Sequence, residues 1–261
     1  MVIENRTVIS SFVWKFMERG VAQAFSLLVQ IVLARLLVPD DFGTLAVLLV
    51  FVNLSNVLIQ KGFATALVQK DHIEDIDVNT VFWISELIAL IIYGVLWFVA
   101  PTIEKIYQTF HLALYLRVIS LSLFAGAFYS IENSLLIRNM KFKKMFLSSF
   151  TATLIAGIMA VTLAYMGMGC WALIWQNVVQ QFLLSIFSFP FCRWKIRKQC
   201  SKESFNVVFR FGSNVLLAEL LYTGVENIRT LIIGARYSSS DLAYYDRGQT
   251  YPSVAMRSIY D

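Results

Sequence analysis

Charge is scarce in this chain. Asp, Glu, Lys and Arg make up 15% of its 261 residues, against about a quarter in soluble domains, and mean hydropathy is +0.65. That balance argues against a water-soluble domain and for residence in lipid. Cysteine is sparse too. Cys170, Cys192 and Cys200 lack CxxC or metal-ligand spacing, which reads as small apolar packing residues rather than a disulfide or a metal site. The two histidines, His72 and His111, stand alone in expected loops and take no assigned role. There is no P-loop, nucleophile elbow or zinc spacing, and no large polar stretch to form an outside domain; the longest lies around residues 193–204. An enzyme is therefore disfavoured, and no cofactor or metal is expected. The N-terminal apolar run lacks a small-residue cleavage pattern, so it reads as a retained membrane helix rather than a signal peptide.

What is present is a run of 48 residues between Lys144 and Arg193 without a single charge. A helix needs about 20 apolar residues to cross a bilayer, so this run holds two crossings, with Met166-Gly167-Met168-Gly169 as their turn. Basic residues flank both ends: Arg138, Lys141, Lys143 and Lys144 before it, Arg193, Lys195, Arg197, Lys198 and Lys202 after it. Two crossings return the chain to its starting side, and the positive-inside rule makes that side the cytoplasm. The net charge of +5 collects in these short loops. It reads as topology, with attraction to anionic lipid headgroups as a compatible second role, and not as a nucleic-acid face.

The same reasoning along the chain predicts an all-α polytopic membrane protein with a cytoplasmic N-terminus. Crossings are expected at residues 9–37, 42–68, 79–101 (ending at Pro101), 112–137, 145–167, 170–191 and 205–235, with an eighth starting near Asp241. Pro39-Asp40-Asp41 reads as a short turn capping the second helix, and Lys70 to Asp77 as a polar loop. Residues 34–45 (ARLLVPDDFGTL) and 234–245 (GARYSSSDLAYY) align with a shift of 200 positions, pairing Asp41 with Asp241, Phe42 with Leu242 and Gly43 with Ala243. The match falls at the first and seventh helices. Six crossings preserve orientation, so it predicts parallel repeats: residues 1–200 as a six-helix lobe and 201–261 as the start of a second.

The segments LARLLVPDDFG (33–43), GFATALVQKD (62–71), VFWISELIALIIYGVLWFVAP (81–101), LRVISL (116–121), KFKK (141–144), GMGCWALIWQ (167–176) and IIGARYSSSDLAYYDRGQTYPS (232–253) resemble the polysaccharide exporters of the MOP flippase superfamily. The likeness is to the Wzx-like branch for lipopolysaccharide, colanic acid and teichuronic acid. The resemblance implies a MATE-like fold of two six-helix lobes around a cavity. It also implies movement of an undecaprenyl-pyrophosphate-linked oligosaccharide across the bacterial inner membrane, with membrane lipids and other polysaccharide assembly proteins as partners and no nucleic acid. Relatives have two bundles of six or more helices, so this chain is expected to be a fragment or a truncated product. A cavity needs both lobes, so flipping by this chain alone is not expected. Two other readings stay open: a cation-coupled small-molecule exporter of the same fold, and a non-transporting remnant or assembly partner.

Ionisable groups at membrane depth cost about 2.5 kcal/mol or more, which singles out Lys15, Glu18, Arg19, Glu86, Glu132, Arg210, Glu219, Glu226 and Arg229. Arginine suits phosphate oxygens, and the first and seventh helices are repeat equivalents, so Arg19 and Arg229 are the leading phosphate candidates. Glu18, Glu219 and Glu226 would hold them or bind a coupling cation or proton. Alternatively Lys15 and Arg19 snorkel to the surface, and Glu226 and Arg229, spaced i,i+3, neutralise each other. Arg210 reads as interfacial. Glu86 and Glu132 lie deeper and read as pathway or interhelical groups. Gln176, Asn177, Gln180 and Gln181 mark one stripe that lines a sugar cavity or joins helices.

Overall fold

A computed structural model of the chain describes residues 24–61, 67, 73–192, 194–197 and 201–260. Among these there is no strand, as lipid demands: a helix satisfies its own backbone hydrogen bonds where no water can. In chain order the helices are α1 (24–36), α2 (Pro39–Asn56), α3 (Asp75–Tyr107), α4 (Leu112–Ile119), α5 (Ser122–Arg138), α6 (Phe142–Tyr165), α7 (Cys170–Cys192), α8 (Lys202–Arg236) and α9 (Ser239–Tyr260). Among the described residues, five spans are long and apolar enough to cross a membrane: Pro39–Gln60, Asp75–Tyr107, Leu112–Arg138, Phe142–Tyr165 and Cys170–Cys192. These are the second to sixth expected crossings. The described part of α1 is apolar but short. The expected seventh and eighth crossings are present as helices α8 and α9, which lie outside that apolar set.

Several boundaries differ from the sequence-based expectation, each for a local reason. Pro39 does not precede α2 in a turn but opens it, since its fixed φ suits the first helical position and its missing N–H costs nothing there. Asp40 and Asp41 then sit in the first turn, at the positive end of the helix dipole. At its far end α2 gives way to a π-helical turn, Val57–Lys61, where Gln60 Nε2 donates to Asn56 Oδ1 at 2.9 Å. The acidic loop before the third crossing is partly absorbed into α3. Glu74 is its N-cap, and the Glu74 N–H donates to Asp77 Oδ2 at 3.0 Å in a reciprocal capping box.

Pro101 was expected to end the third crossing. It lies inside α3, which continues to Tyr107. Proline cannot donate to the carbonyl four residues back, here that of Trp97. Arg117 Nη2 takes the place of the missing N–H, donating to Trp97 O at 3.4 Å, while its guanidinium carbon lies 4.4 Å from the Trp97 ring centroid. Replacing Arg117 with methionine is expected to destabilise the bundle by about 1–3 kcal/mol, the cost of leaving a carbonyl acceptor without a partner where lipid offers none. Thermal unfolding in detergent measures it, and Arg117→Lys should recover only part of the loss, having no planar group to stack.

The fourth crossing, expected as one helix, is two. The break falls at Ser120–Leu121, where Ser120 Oγ donates to Leu116 O and Ser122 Oγ to Ile119 O, both at 2.6 Å. These hydroxyls compete with the helical ladder and bend it. The hairpin of α6 and α7, the expected fifth and sixth crossings, matches expectation closely, and Gly167 (φ +76°) and Gly169 (φ +55°) supply the left-handed backbone of its turn.

Packing relies on small residues. Ala152, Ala156, Ala160 and Ala164 recur every fourth position along α6 and are buried, letting neighbouring backbones approach as membrane helices do. The main core joins Leu33, Leu48, Leu116, Leu123 and Ile174. A second cluster, with Phe82, Ile131, Met145 and Trp194, closes the end that carries the basic clusters. The connector from α7 to α8 is tied across that end. Trp83 Nε1 donates to Arg197 O at 3.0 Å, the Arg197 N–H to Asn79 Oδ1 at 2.7 Å, and the Ser201 N–H to Thr80 Oγ1 at 3.0 Å.

Candidate functional site: polar groups at the α2–α9 contact and at membrane depth

The turns that open α2 and α9 are 200 residues apart in sequence and side by side in space. Ser240 Oγ donates to Asp40 Oδ1 at 2.7 Å. Gly43 packs directly on the Ser239 backbone, with the Ser239 carbonyl carbon 2.6 Å from where a Cβ would stand. Residue i meeting residue i+200 is what a two-fold axis passing between equivalent turns produces. Each turn is also capped on its own side. Asp41 accepts from the backbone of Val38 and of Cys170, and its carboxylate lies against Gly169, so it ties α2 to the α6–α7 turn. Ser238 and Asp241 cap α9 reciprocally, with Ser238 Oγ donating to Asp241 Oδ2 at 2.6 Å and the Asp241 N–H to Ser238 Oγ at 3.1 Å.

About two turns along α9, Arg247 reaches across the same contact. Its Nη1 donates to Gln30 Oε1 of α1 at 2.7 Å, and its guanidinium carbon lies 4.2 Å from the Phe42 ring centroid. A guanidinium stacked on an aromatic face and hydrogen-bonded at its edge is a fixed cation. Sequence reasoning did not single it out, although a basic residue on an expected crossing is the signal that flagged Arg229. A separate bond joins α3 to α8, the Tyr107 hydroxyl donating to Leu231 O at 3.3 Å.

The residues expected from sequence do not gather in one place. Glu18 and Arg19 lie outside the described residues. Glu226 and Arg229 are both exposed on α8 and form no ion pair with each other, so the expectation of mutual neutralisation fails. Glu219 is half-buried on the same helix. On α7 the amide stripe is divided. Gln180 Nε2 donates to Thr153 Oγ1 of α6 at 3.1 Å, which is helix joining rather than cavity lining. Gln181 instead approaches Gly126 of α5, where Gln60 and Asn56 also converge. Gln176 is half-buried, and Asn177 bonds back to Leu173 O at 2.9 Å.

Glu132 is fully buried on α5, and both of its carboxylate oxygens lack a hydrogen-bond partner among the described residues. The buried hydroxyls of Ser85 on α3 and Ser188 on α7 are likewise unpartnered. Cys192 links α7 to this region, its thiol lying 3.6 Å from Glu132 O and 3.4 Å from Ser188 O. Such an arrangement has a definite chemical capacity: an unpaired carboxyl in an apolar interior takes up a proton or a cation readily. Glu86, by contrast, faces a pocket whose described lining residues come from α3, α5, α7 and the connector after α7. Among the described residues no group of three or more His, Cys, Asp or Glu side chains is placed to hold a metal ion.

Residues 32–261 match the family described as polysaccharide biosynthesis protein. The chain belongs to that family. It is 25% identical over 252 residues to the succinoglycan biosynthesis transport protein ExoT of Rhizobium meliloti (strain 1021), covering 97% of this chain and 51% of that one. It is 22% identical over 163 residues to the lipopolysaccharide biosynthesis protein WzxC of Escherichia coli (strain K12), covering 60% of this chain and 33% of that one. The chain thus spans about half the length of the first relative and a third of the second. Among solved structures it resembles the inward-facing conformation of a multidrug resistance MATE family transporter of the MOP superfamily, with a TM-score of 0.64 and 15% identity, over 91% of this chain and 59% of that one. That likeness establishes the fold of this family member as MATE-like and all-helical. With five apolar spans, it is a multi-pass membrane protein.

Proposed function

We propose that this chain supplies the first lobe and the opening of the second lobe of a transporter that moves an undecaprenyl-pyrophosphate-linked oligosaccharide from the inner to the outer leaflet of the bacterial inner membrane. On this reading it acts as a transporter rather than an enzyme, its N-terminus is cytoplasmic, and residues 1–200 and 201–261 belong to two lobes. The observation that carries the reading is the contact of Asp40 with Ser240, because it joins repeat-equivalent turns across an axis. A two-lobe transporter folded on such an axis has its substrate route between the lobes. The relatives named for succinoglycan and lipopolysaccharide biosynthesis support a saccharide cargo.

The chemistry follows from the cargo. A pyrophosphate crossing a low-dielectric interior needs fixed cations, and arginine offers it charge-assisted forks. Arg19 and Arg229 remain candidates on the first and seventh helices. Arg247 joins them, held at the lobe contact by Gln30 and Phe42. Glu18, Glu219, Glu226 and Glu132 are candidates for a coupling proton or cation, and Gln176 for sugar contacts. The basic loops at Arg138–Lys144 and Arg193–Lys202 would stay on the cytoplasmic side.

In cells whose polysaccharide export depends on this protein, Arg19→Ala, Arg229→Ala and Arg247→Ala are each expected to lower export at least about tenfold, the scale of one lost charge-assisted contact. The protein should remain in the membrane, and lipid-linked oligosaccharide should accumulate. Undiminished export in all three variants would remove the cationic route.

A further inference from the structure

Arg117 is a cation without a counter-charge among the described residues. A guanidinium carries five N–H donors. Here one of them makes the long bond to Trp97 O, and the others have no acceptor among the described residues. No carboxylate forms an ion pair with it. Glu104, an acid at the same end of α3, is engaged elsewhere: its Oε2 accepts the Ala113 N–H at 2.8 Å. Arg117 does stand in the last turn of α4, but the charge at a helix end is only about half a unit and does not replace a counter-ion. The surroundings are the flank of the bundle. Trp97, beneath the guanidinium, is exposed, as are Phe98 next to it and Leu114, one turn before Arg117 on α4. The Trp97 indole N–H and the hydroxyl of Tyr93, whose ring lies 5.9 Å from that of Trp97, also make no hydrogen bond among the described residues.

Depth selects the anion. From Asn79, which holds Arg197 of the basic connector, α3 rises about 27 Å to Trp97. That is close to the thickness of the hydrocarbon core, about 30 Å. Trp97 and Arg117 therefore stand at the interface opposite the basic clusters, which is the outer leaflet on the orientation proposed above. An ionisable group inside the membrane needs a partner, and the anion that a bilayer itself supplies at its interface is lipid phosphate. We infer that Arg117 and Trp97 bind the phosphate of a lipid in the leaflet opposite the basic clusters. The free edge of the guanidinium offers phosphate oxygens a planar fork, and stacking on Trp97 holds that plane in place. The Trp97 and Tyr93 donors stand ready for further oxygens, while the lipid chains lie along the exposed side of α3 at Val95 and Phe98. Two lipids carry this chemistry: an ordinary phospholipid, and a lipid-linked pyrophosphate. The second would make the site a station for cargo that has already crossed, and only that part rests on the export reading.

A fluorophore on Phe98→Cys in a Cys200→Ser background, with Cys170 and Cys192 buried, is quenched by a brominated lipid beside Trp97 and not by one at the basic end. With the purified full chain in a neutral detergent, dibrominated phosphatidylglycerol is expected to quench saturably and stoichiometrically. Dibrominated diacylglycerol, with the same chains and no phosphate, should bind at least about tenfold more weakly, as loss of a charge partner does. Arg117→Gln should weaken the phospholipid by a similar factor. Leu114→Glu leaves Arg117 and its bond to Trp97 in place but gives the guanidinium a resident carboxylate at i,i+3; it should weaken the phospholipid as well, and it decides the matter if Arg117→Gln does not fold. Equal quenching by the two brominated lipids, or undiminished phospholipid quenching in either folded variant, would overturn the proposal. Unlabelled undecaprenyl pyrophosphate, with undecaprenol as its control, separates the two sources. If the pyrophosphate displaces the brominated phospholipid at about tenfold lower concentration than unlabelled phosphatidylglycerol does, the site receives cargo. If the two displace it equally, the site is a phospholipid site, and that result stands even where the export reading fails.

Discussion

Valine in place of Gly43 is expected to part α2 from α9. A Cβ at this position would overlap the carbonyl group of Ser239, which is backbone and has no rotamer to retreat into. Gly43 is helical, so the reason for glycine here is close approach and not an unusual φ. Relief requires the two helices to move apart, which breaks the Ser240–Asp40 hydrogen bond and draws Arg247 away from Phe42 and Gln30. Overpacking of this kind costs about 1–3 kcal/mol, occasionally more. The local readout is a thiol cross-link between Asp40→Cys and Ser240→Cys in a Cys200→Ser background, where buried Cys170 and Cys192 are shielded. The cross-link should form readily with Gly43 and be lost with valine. If it forms equally in both, the two turns are not in contact as described.

Glu132→Met should have the opposite effect on stability. The wild-type carboxyl is buried with both oxygens unpartnered, and burying an ionisable group without compensation costs several kcal/mol. Methionine has nearly the same length and no polar atoms, and it adapts to irregular space. A rise in stability of about 1–3 kcal/mol is expected, the cost of a buried polar group left without a partner. Thermal unfolding in detergent measures it. A residue that the fold would gain by losing is retained for another reason, so export should fall in the same variant. Lower stability in Glu132→Met would mean that the carboxyl is compensated in the folded protein, and the argument for a proton- or cation-binding role would go with it.

The legible and illegible parts of this fold divide by range. The hairpin of α6 and α7 was readable because its signals are local: an apolar length, a glycine turn and charges at each end. The 200-residue repeat was also readable as a pattern, but its spatial meaning was not, since nothing in a sequence says that Asp40 touches Ser240. Pro101 misled because its penalty is local while its remedy, Arg117, comes from another helix. The serine break in the fourth crossing was missed because serine hydroxyls that bend a helix have the same spelling as those that merely tolerate one.

The candidate site was harder still. Selecting every charge at membrane depth found Glu86 and Glu132, but it could not separate a carboxylate facing a cavity from one sealed among apolar side chains. It put Glu226 and Arg229 together by spacing, yet both are exposed and make no pair. Arg247 was passed over, although its neighbours Gln30 and Phe42 make it the best-held cation at the α2–α9 contact.

Apolar length and basic punctuation alone were enough to assign this chain to the bilayer and to count its central crossings. Those properties follow from the free energy of moving each segment out of water, which depends on the segment itself. The partners of Arg117 and Asp40, and the lack of any for Glu132 among the described residues, were settled by folding, because whether a polar group inside a membrane is satisfied depends on which other helix stands beside it.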